Sequence, residues 1–357
     1  MKTCFLSYNL MANSTADYFI SLSNKLSEEH RVIVITNKIR KTNISLSNNI
    51  TVLKLPTNKV NSWRNFWFLY KLVRTHKPDM MISMFSFVNL FLIVGWLFRV
   101  KVRVAWIRTL SSQYAQKKYK VLRKSIIYSL STNIITNSEA TKNDTSGFFR
   151  IPKTKITVLP NSVKDYSGGL NHIKTDRNNL LYVGRLHPSK GVDILLQSFS
   201  TLSLNHPDIY LIIIGDGPLL KELVNITNSL NISDKVSFLG EKDKASVLEA
   251  YKRSYCTIIP SYSEAFGFTV IEAMSVGTCV VGANNTGIKE IIKHNKSGIL
   301  FETGNSLDLA QKLEKLLLNL DYRNDLADEG YRRFKSNYEN SFAINRDIKF
   351  FKKFLVE

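Results

Sequence analysis

From Ser254 to Ile288 only two side chains are charged, Glu264 and Glu272, eight residues apart in the run SYSEAFGFTVIEAMSVG. In a chain that is 22% charged, a carboxylate kept in so apolar a stretch needs partners, because burying one without them is costly. Carboxylates accept hydrogen bonds from vicinal hydroxyls, which ribose and hexose both carry. A second segment, YVGRLHPSKG, sets a forked cation, Arg185, and a point cation, Lys190, between Gly184 and Gly191. After a strand, such a pair suits a phosphate or diphosphate; taken alone, a solvated loop with two stray cations is an equal reading. His187 reads as loop packing. The turn GDGP (Gly215–Pro218) begins like a dinucleotide fingerprint, but Leu220 stands where a third glycine is needed.

Short β-branched runs alternate with amphipathic stretches and must position these groups. Strands are expected at TCFLSY, RVIVIT, ITVLKLP, DMMISMF, VRVAWI, NIITNS and ITVLPN, then at NLLYVG, IYLIIIG, VSFLG, YCTIIP, CVVGA and GILFE. Helices are expected at Ala16–Leu26, Glu139–Phe148, Leu219–Leu230, Ala245–Arg253 and Ser306–Asn319. Strands apolar on both faces, alternating with helices, indicate parallel sheets covered on both sides. Ligands then bind beyond the carboxyl ends of the strands. There a helix opening near Gly267 turns its backbone N–H groups toward an anion, with Glu264 before it and Glu272 about two turns along. The polar stretch Lys164–Asn178 reads as a linker. The domains expected are 1–170, 171–340 and a docking helix over 341–357.

The 357 residues carry a net charge of +20. Of the 49 basic and 29 acidic residues, 26 and 7 fall in Met1–Leu170, so nearly all the surplus lies in the first half. A polyanionic partner for that half is implied, a nucleic acid or an anionic membrane face. Cys4, Cys256 and Cys279 lie in apolar runs and read as buried thiols. Histidines lack ligand spacing and no Asp-x-Asp pair occurs, so no metal is expected. The N-terminus lacks the pattern of a secretory signal. Met80–Phe98 is uncharged over nineteen residues, yet it divides more naturally into a strand and a helix than into a membrane span.

Together these motifs resemble the retaining glycosyltransferases of family four. Glu264–Glu272 matches their E-x7-E motif and GRLHPSKG their G-R-x4-K-G segment, while PNSV (Pro160–Val163), GDGP and NNTGIKEII (Asn284–Ile292) follow in the family's order. The resemblance implies the GT-B fold, two doubly wound α/β domains facing a central cleft, with an N-terminal acceptor domain and a C-terminal nucleotide-sugar domain. It implies that Arg185 and Lys190 hold the donor diphosphate and stabilise its departure electrostatically, without metal or other cofactor. Glu272 would bind ribose and Glu264 the transferred sugar, as catalytic residues with Arg185 and Lys190. Gly184, Phe266, Gly267, Phe268 and Thr269 would complete the donor site, with the base near Leu239–Lys242. A UDP-sugar is the favoured donor.

The first half departs from the family pattern. Ser14 and Thr15 align with a glycine pair, and Arg108 stands where many relatives carry histidine; Arg108 is either a phosphate contact or an arginine on a solvated turn. Taken with the charge surplus, the resemblance implies a lipid-diphosphate-linked glycan acceptor of surface-polysaccharide, capsule or O-antigen synthesis. The surplus also points to a cytoplasmic protein held peripherally on an anionic membrane. Asn61–Lys77 mixes Trp63, Phe66, Trp67 and Tyr70 with Arg64, Lys71, Arg74 and Lys77, and Gln116–Lys124 adds a second basic run. No nucleic-acid recognition pattern accompanies the charge. A nicotinamide enzyme would need a complete fingerprint. A nucleotide-sugar or glycan binder without catalysis remains the main alternative.

Overall fold

The computed structural model describes residues 1–40, 42, 44–111, 118–170 and 175–355; Gln116, Lys117 and residues 171–174 of the expected linker lie outside them. The chain divides into two compact units, Met1–Asn161 with Asn340–Glu357, and Ser162–Glu339.

Every apolar run expected to be a strand is one. In the first unit these are β1 (Thr3–Ser7), β2 (Arg31–Thr36), β3 (Thr51–Lys54), β4 (Met80–Met84), β5 (Val102–Ile107), β6 (Asn133–Thr136) and β7 (Ile156–Val158). They form a parallel sheet in the order β3-β2-β1-β4-β5-β6-β7. The second unit holds β8 (Asn179–Val183), β9 (Tyr210–Ile214), β10 (Val236–Phe238), β11 (Cys256–Ile259), β12 (Cys279–Ala283) and β13 (Ile299–Phe301). Its sheet is also parallel, in the order β10-β9-β8-β11-β12-β13. In both sheets the direction of strand addition reverses, between β1 and β4 and between β8 and β11. Such switch points open a crevice at the carboxyl ends of the strands.

Helix starts are set by polar caps that satisfy otherwise orphaned N–H groups. Asn13 accepts from Ala16 N at 2.9 Å to open Ser14–Ser27, and Asp243 from Ser246 N at 2.8 Å to open Lys244–Arg253. Asn319 closes Ser306–Leu318 and, through Tyr322 N at 2.9 Å, caps a further helix, Leu320–Asn337. Met80–Phe98 resolves into β4, a short turn at Phe85–Phe87 and the helix Val88–Leu97. Among the described residues no helix is long and apolar enough to cross a membrane. The three cysteines are buried free thiols.

The change of unit comes at Asn161, before residue 170, because the following residues already fasten to the second unit. Val163 N donates to Tyr338 O at 3.1 Å. Asp165 accepts from Tyr331 at 2.8 Å and from Lys335 at 2.9 Å. Asp176 N donates to Arg253 O at 2.6 Å, so the stretch read as a linker is tied down on both sides of its undescribed part.

The C-terminal helix, Asn340–Leu355, packs in the first unit. Ala343, Ile344, Phe351 and Leu355 join the core of Tyr18, Phe19 and Trp106, with the Phe351 and Trp106 rings 6.1 Å apart. The buried Asp347 accepts from the Tyr18 hydroxyl and from Arg346 Nε at 2.6 Å. Burial raises its pKa, although Arg346 and Tyr18 pull the other way.

Candidate functional site

The switch point of the second unit brings the loops after β8 and β11 side by side. After β8 the chain is anchored at Leu186, fully buried. Its N–H donates to Asp216 O at 2.9 Å and its carbonyl accepts from Leu219 N at 3.2 Å. The GDGP turn thus serves as a clamp on the cationic loop. Tyr182 OH donates to the Arg185 carbonyl at 3.1 Å. That leaves the Arg185 side chain exposed, and among the described residues it makes no ion pair. His187 Nδ1 accepts from Ser189 N at 3.2 Å, capping the single turn Pro188–Lys190. Gly191 then closes that turn at φ 63°. A Cβ there would lie 2.2 Å from the Pro260 carbonyl oxygen, so the two loops approach as closely as backbones can.

This approach sets Lys190 against Glu264: the ammonium donates to Oε1, with side chains 26% and 20% exposed. Ser261 Oγ donates to the same oxygen at 3.3 Å. Tyr262 N bonds Ser189 O at 3.0 Å, joining the loops a second time. The NNTG segment after β12 holds the Glu264 backbone, whose carbonyl accepts from Thr286 Oγ1 at 2.9 Å and Gly287 N at 3.1 Å.

Glu272 is met by a residue that the sequence reading did not single out. Lys244, first in its helix, places Nζ 2.5 Å from Glu272 Oε1. Tyr251 OH donates to Oε2 at 3.5 Å. Burial, and then the Glu272 charge, raise the Tyr251 pKa well above the ordinary value, so it is a permanent donor. The carboxylates of the charge-poor segment are therefore not left waiting for a ligand. In this chain each has a lysine, brought from 74 and 28 residues away.

A cavity of about 490 Å³ is lined by Gly184, Arg185, Gly215, Asp216, Gly217, Glu241, Lys242 and Val247, with none of the four paired residues in its wall. Gly184, Arg185 and Lys242 thus share one wall system, whereas Leu239 is 44% exposed and is not among the lining residues. Phe266 is buried, its ring 5.9 Å from those of Phe268 and Tyr338. The helix that follows Gly267 spans Phe268–Met274, and Thr269 is in its first turn. The helix opens where expected, but Glu272 lies only four residues after Phe268, about one turn along rather than two. Of the remaining candidates, Ser14 and Thr15 open the first helix of the first unit, behind the Asn13 cap. Arg108, directly after β5, is not on a solvated turn. It is 8% exposed, with its guanidinium 5.4 Å from the Phe19 ring, and burial lowers its pKa to about 10.

Two family models match this chain, "Glycosyl transferases group 1" over residues 170–333 and "Glycosyltransferase Family 4" over residues 16–165. A relative from Campylobacter jejuni is 25% identical over 94% of both chains. It is named GalNAc-alpha-(1->4)-GalNAc-alpha-(1->3)-diNAcBac-PP-undecaprenol alpha-1,4-N-acetyl-D-galactosaminyltransferase. An uncharacterized glycosyltransferase of Methanocaldococcus jannaschii is 27% identical, but the match covers 58% of this chain and only 56% of that relative. Among solved structures, HepE of Anabaena in complex with UDP superposes with a TM-score of 0.77 at 17% identity, over 99% of this chain and all of that one. Matched along both halves, and with the same two doubly wound sheets, the chain belongs to the family four glycosyltransferases and has the GT-B fold.

Proposed function

We propose that this glycosyltransferase takes a sugar from a UDP-sugar and adds it, with retention of anomeric configuration, to a lipid-diphosphate-linked glycan at the inner face of a bacterial membrane. The observation that carries the donor reading is the Lys190–Glu264 pair at the switch point, on the same loop as Arg185, which lines a cavity. An incoming diphosphate competes for the Lys190 ammonium. As Lys190 turns to phosphate it releases the Glu264 carboxylate, which then accepts hydrogen bonds from the hydroxyls of the transferred sugar. Arg185 and Lys190 supply the positive charge that the leaving diphosphate needs, and that charge is worth most as the bond breaks. No residue is assigned as a covalent nucleophile; the acceptor hydroxyl attacks from the face that the diphosphate vacates and passes its proton to the departing diphosphate oxygen. The UDP complex of HepE and the undecaprenyl-linked acceptor in the Campylobacter relative's name support these choices of donor and acceptor.

The membrane reading rests on the basic first half and on two helices. Trp63–His76 exposes Trp63 and Trp67 among Arg64, Lys71 and Arg74, while Phe66 and Tyr70 are half-buried in an aromatic ladder. Lys118–Ser129 has no acidic residue and exposes Tyr119, Leu122 and Ile126 along one face. Apolar tips with flanking cations suit an anionic lipid surface, each cation contributing about 1 kcal/mol.

Transfer assays with UDP-sugars and an undecaprenyl-diphosphate-linked glycan test the proposal. Product with retained configuration, lost in Glu264→Gln, is expected; donor binding without transfer to any such acceptor would contradict it. Anionic liposomes should retain the protein and salt should release it, whereas equal retention on neutral liposomes would count against the membrane face.

A further inference from the structure

The Lys244–Glu272 pair has a consequence for specificity that rests on the donor reading above. We infer that Lys244 is a positioning residue for the ribose of the nucleotide, acting through Glu272 by fixing the carboxylate that reads the vicinal hydroxyls.

Glu272 is 14% exposed and has no charged neighbour along its own segment, so its orientation depends on groups from elsewhere. The helix Lys244–Arg253 supplies them. Lys244 and Tyr251, seven residues apart, lie on one face of it and reach the two oxygens of the carboxylate. The bonds are unequal. The 2.5 Å contact to Oε1 is charge-assisted and short, whereas the 3.5 Å bond to Oε2 is at the outer limit for a hydrogen bond and is readily exchanged for a ligand hydroxyl. The lysine is itself confined: its side chain is 26% exposed and its ammonium stands 5.5 Å from the Tyr166 ring. One turn along the same helix, Val247 lines the cavity, just after Glu241 and Lys242 at its rim. A single helix thus carries both a wall of the cavity and the counter-ion of Glu272, so base and ribose are registered against the same rigid element. Lys244 also compensates the Glu272 charge.

Calorimetric titration with UDP and with 2′,3′-dideoxy-UDP tests this. In Lys244→Met, UDP affinity should fall about tenfold, the effect of losing one charged hydrogen bond, while dideoxy-UDP affinity changes far less. Lys244→Arg should restore most of the preference for UDP. In a Glu272→Gln background, adding Lys244→Met should cost little further. Equal weakening toward both ligands, or unchanged UDP binding in Lys244→Met, would overturn the role of Lys244 while leaving the donor site standing. An unsubstituted chain that binds neither ligand would overturn the donor reading itself, and this inference with it.

Discussion

Gly191→Ala measures how far the close approach of the two switch-point loops positions Lys190. The residue sits at φ 63°, and a Cβ would lie 2.2 Å from the Pro260 carbonyl oxygen. Left-handed backbone alone costs alanine about 1–2 kcal/mol. The overlap with a backbone oxygen cannot be relieved by a rotamer change, so the loops must part, at the about 1–3 kcal/mol typical of overpacking. Gly277→Ala is the control: φ is 73°, and no atom lies within 4 Å of the added carbon. The expectation is therefore a loss of about 2–5 kcal/mol for Gly191→Ala against about 1–2 kcal/mol for Gly277→Ala. Guanidinium unfolding followed by circular dichroism reads both. Parting the loops also draws Lys190 away from Glu264, and a displacement of this kind lowers transfer by about a hundredfold. Equal stability losses in the two variants, with transfer intact in Gly191→Ala, would refute the positioning argument.

Tyr18→Phe removes a donor from Asp347, a fully buried carboxylate, and should destabilise the first unit by about 1–3 kcal/mol. Tryptophan fluorescence reads this directly, because Trp106 lies 5.7 Å from the Tyr18 ring. Asp165 has its pKa lowered from 3.8 to about 2: burial acts to raise it, but the bonds from Lys335, Ser167 and Tyr331 outweigh burial. A depressed carboxylate pKa stabilises the fold above the unfolded value, and that contribution is lost as pH falls through the folded one. The melting temperatures of wild type and Asp165→Asn should thus differ above pH 4 and converge toward pH 2; a constant gap would contradict the assignment.

The strands were legible because their signal is local. RVIVIT or IYLIIIG needs no distant partner to declare itself, and the helix limits followed within a few residues. Arg185, Lys190 and Glu264 were legible because they sit where open α/β sheets place ligands, just past strand ends. Lys244 was not. A lysine opening a helix reads as a solvated end, and only the fold brings it to a glutamate 28 residues on. The burial of Arg108 was hidden for the same reason, since nothing beside it in sequence announces the Phe19 ring against it. The helix end at Asn319 was legible, but the helix Leu320–Asn337 that the same residue caps was not, because no gap separates the two. The unit boundary was placed too late because Lys164–Asn178 is polar, and its bonds to Tyr331, Lys335 and Arg253 are all long-range.

The most direct test of the donor site is the ligand-induced melting shift of wild type and Lys190→Ala with UDP, GDP, ADP, CMP and NAD. At a hundredfold excess over Kd, a ligand stabilises its unit by about 2.7 kcal/mol, a rise of about 5–10 °C for a domain of this size. The expected result is such a rise with UDP in wild type and its loss in Lys190→Ala. A folded wild type that responds to none of the five, or a UDP shift that survives Lys190→Ala, would contradict the account.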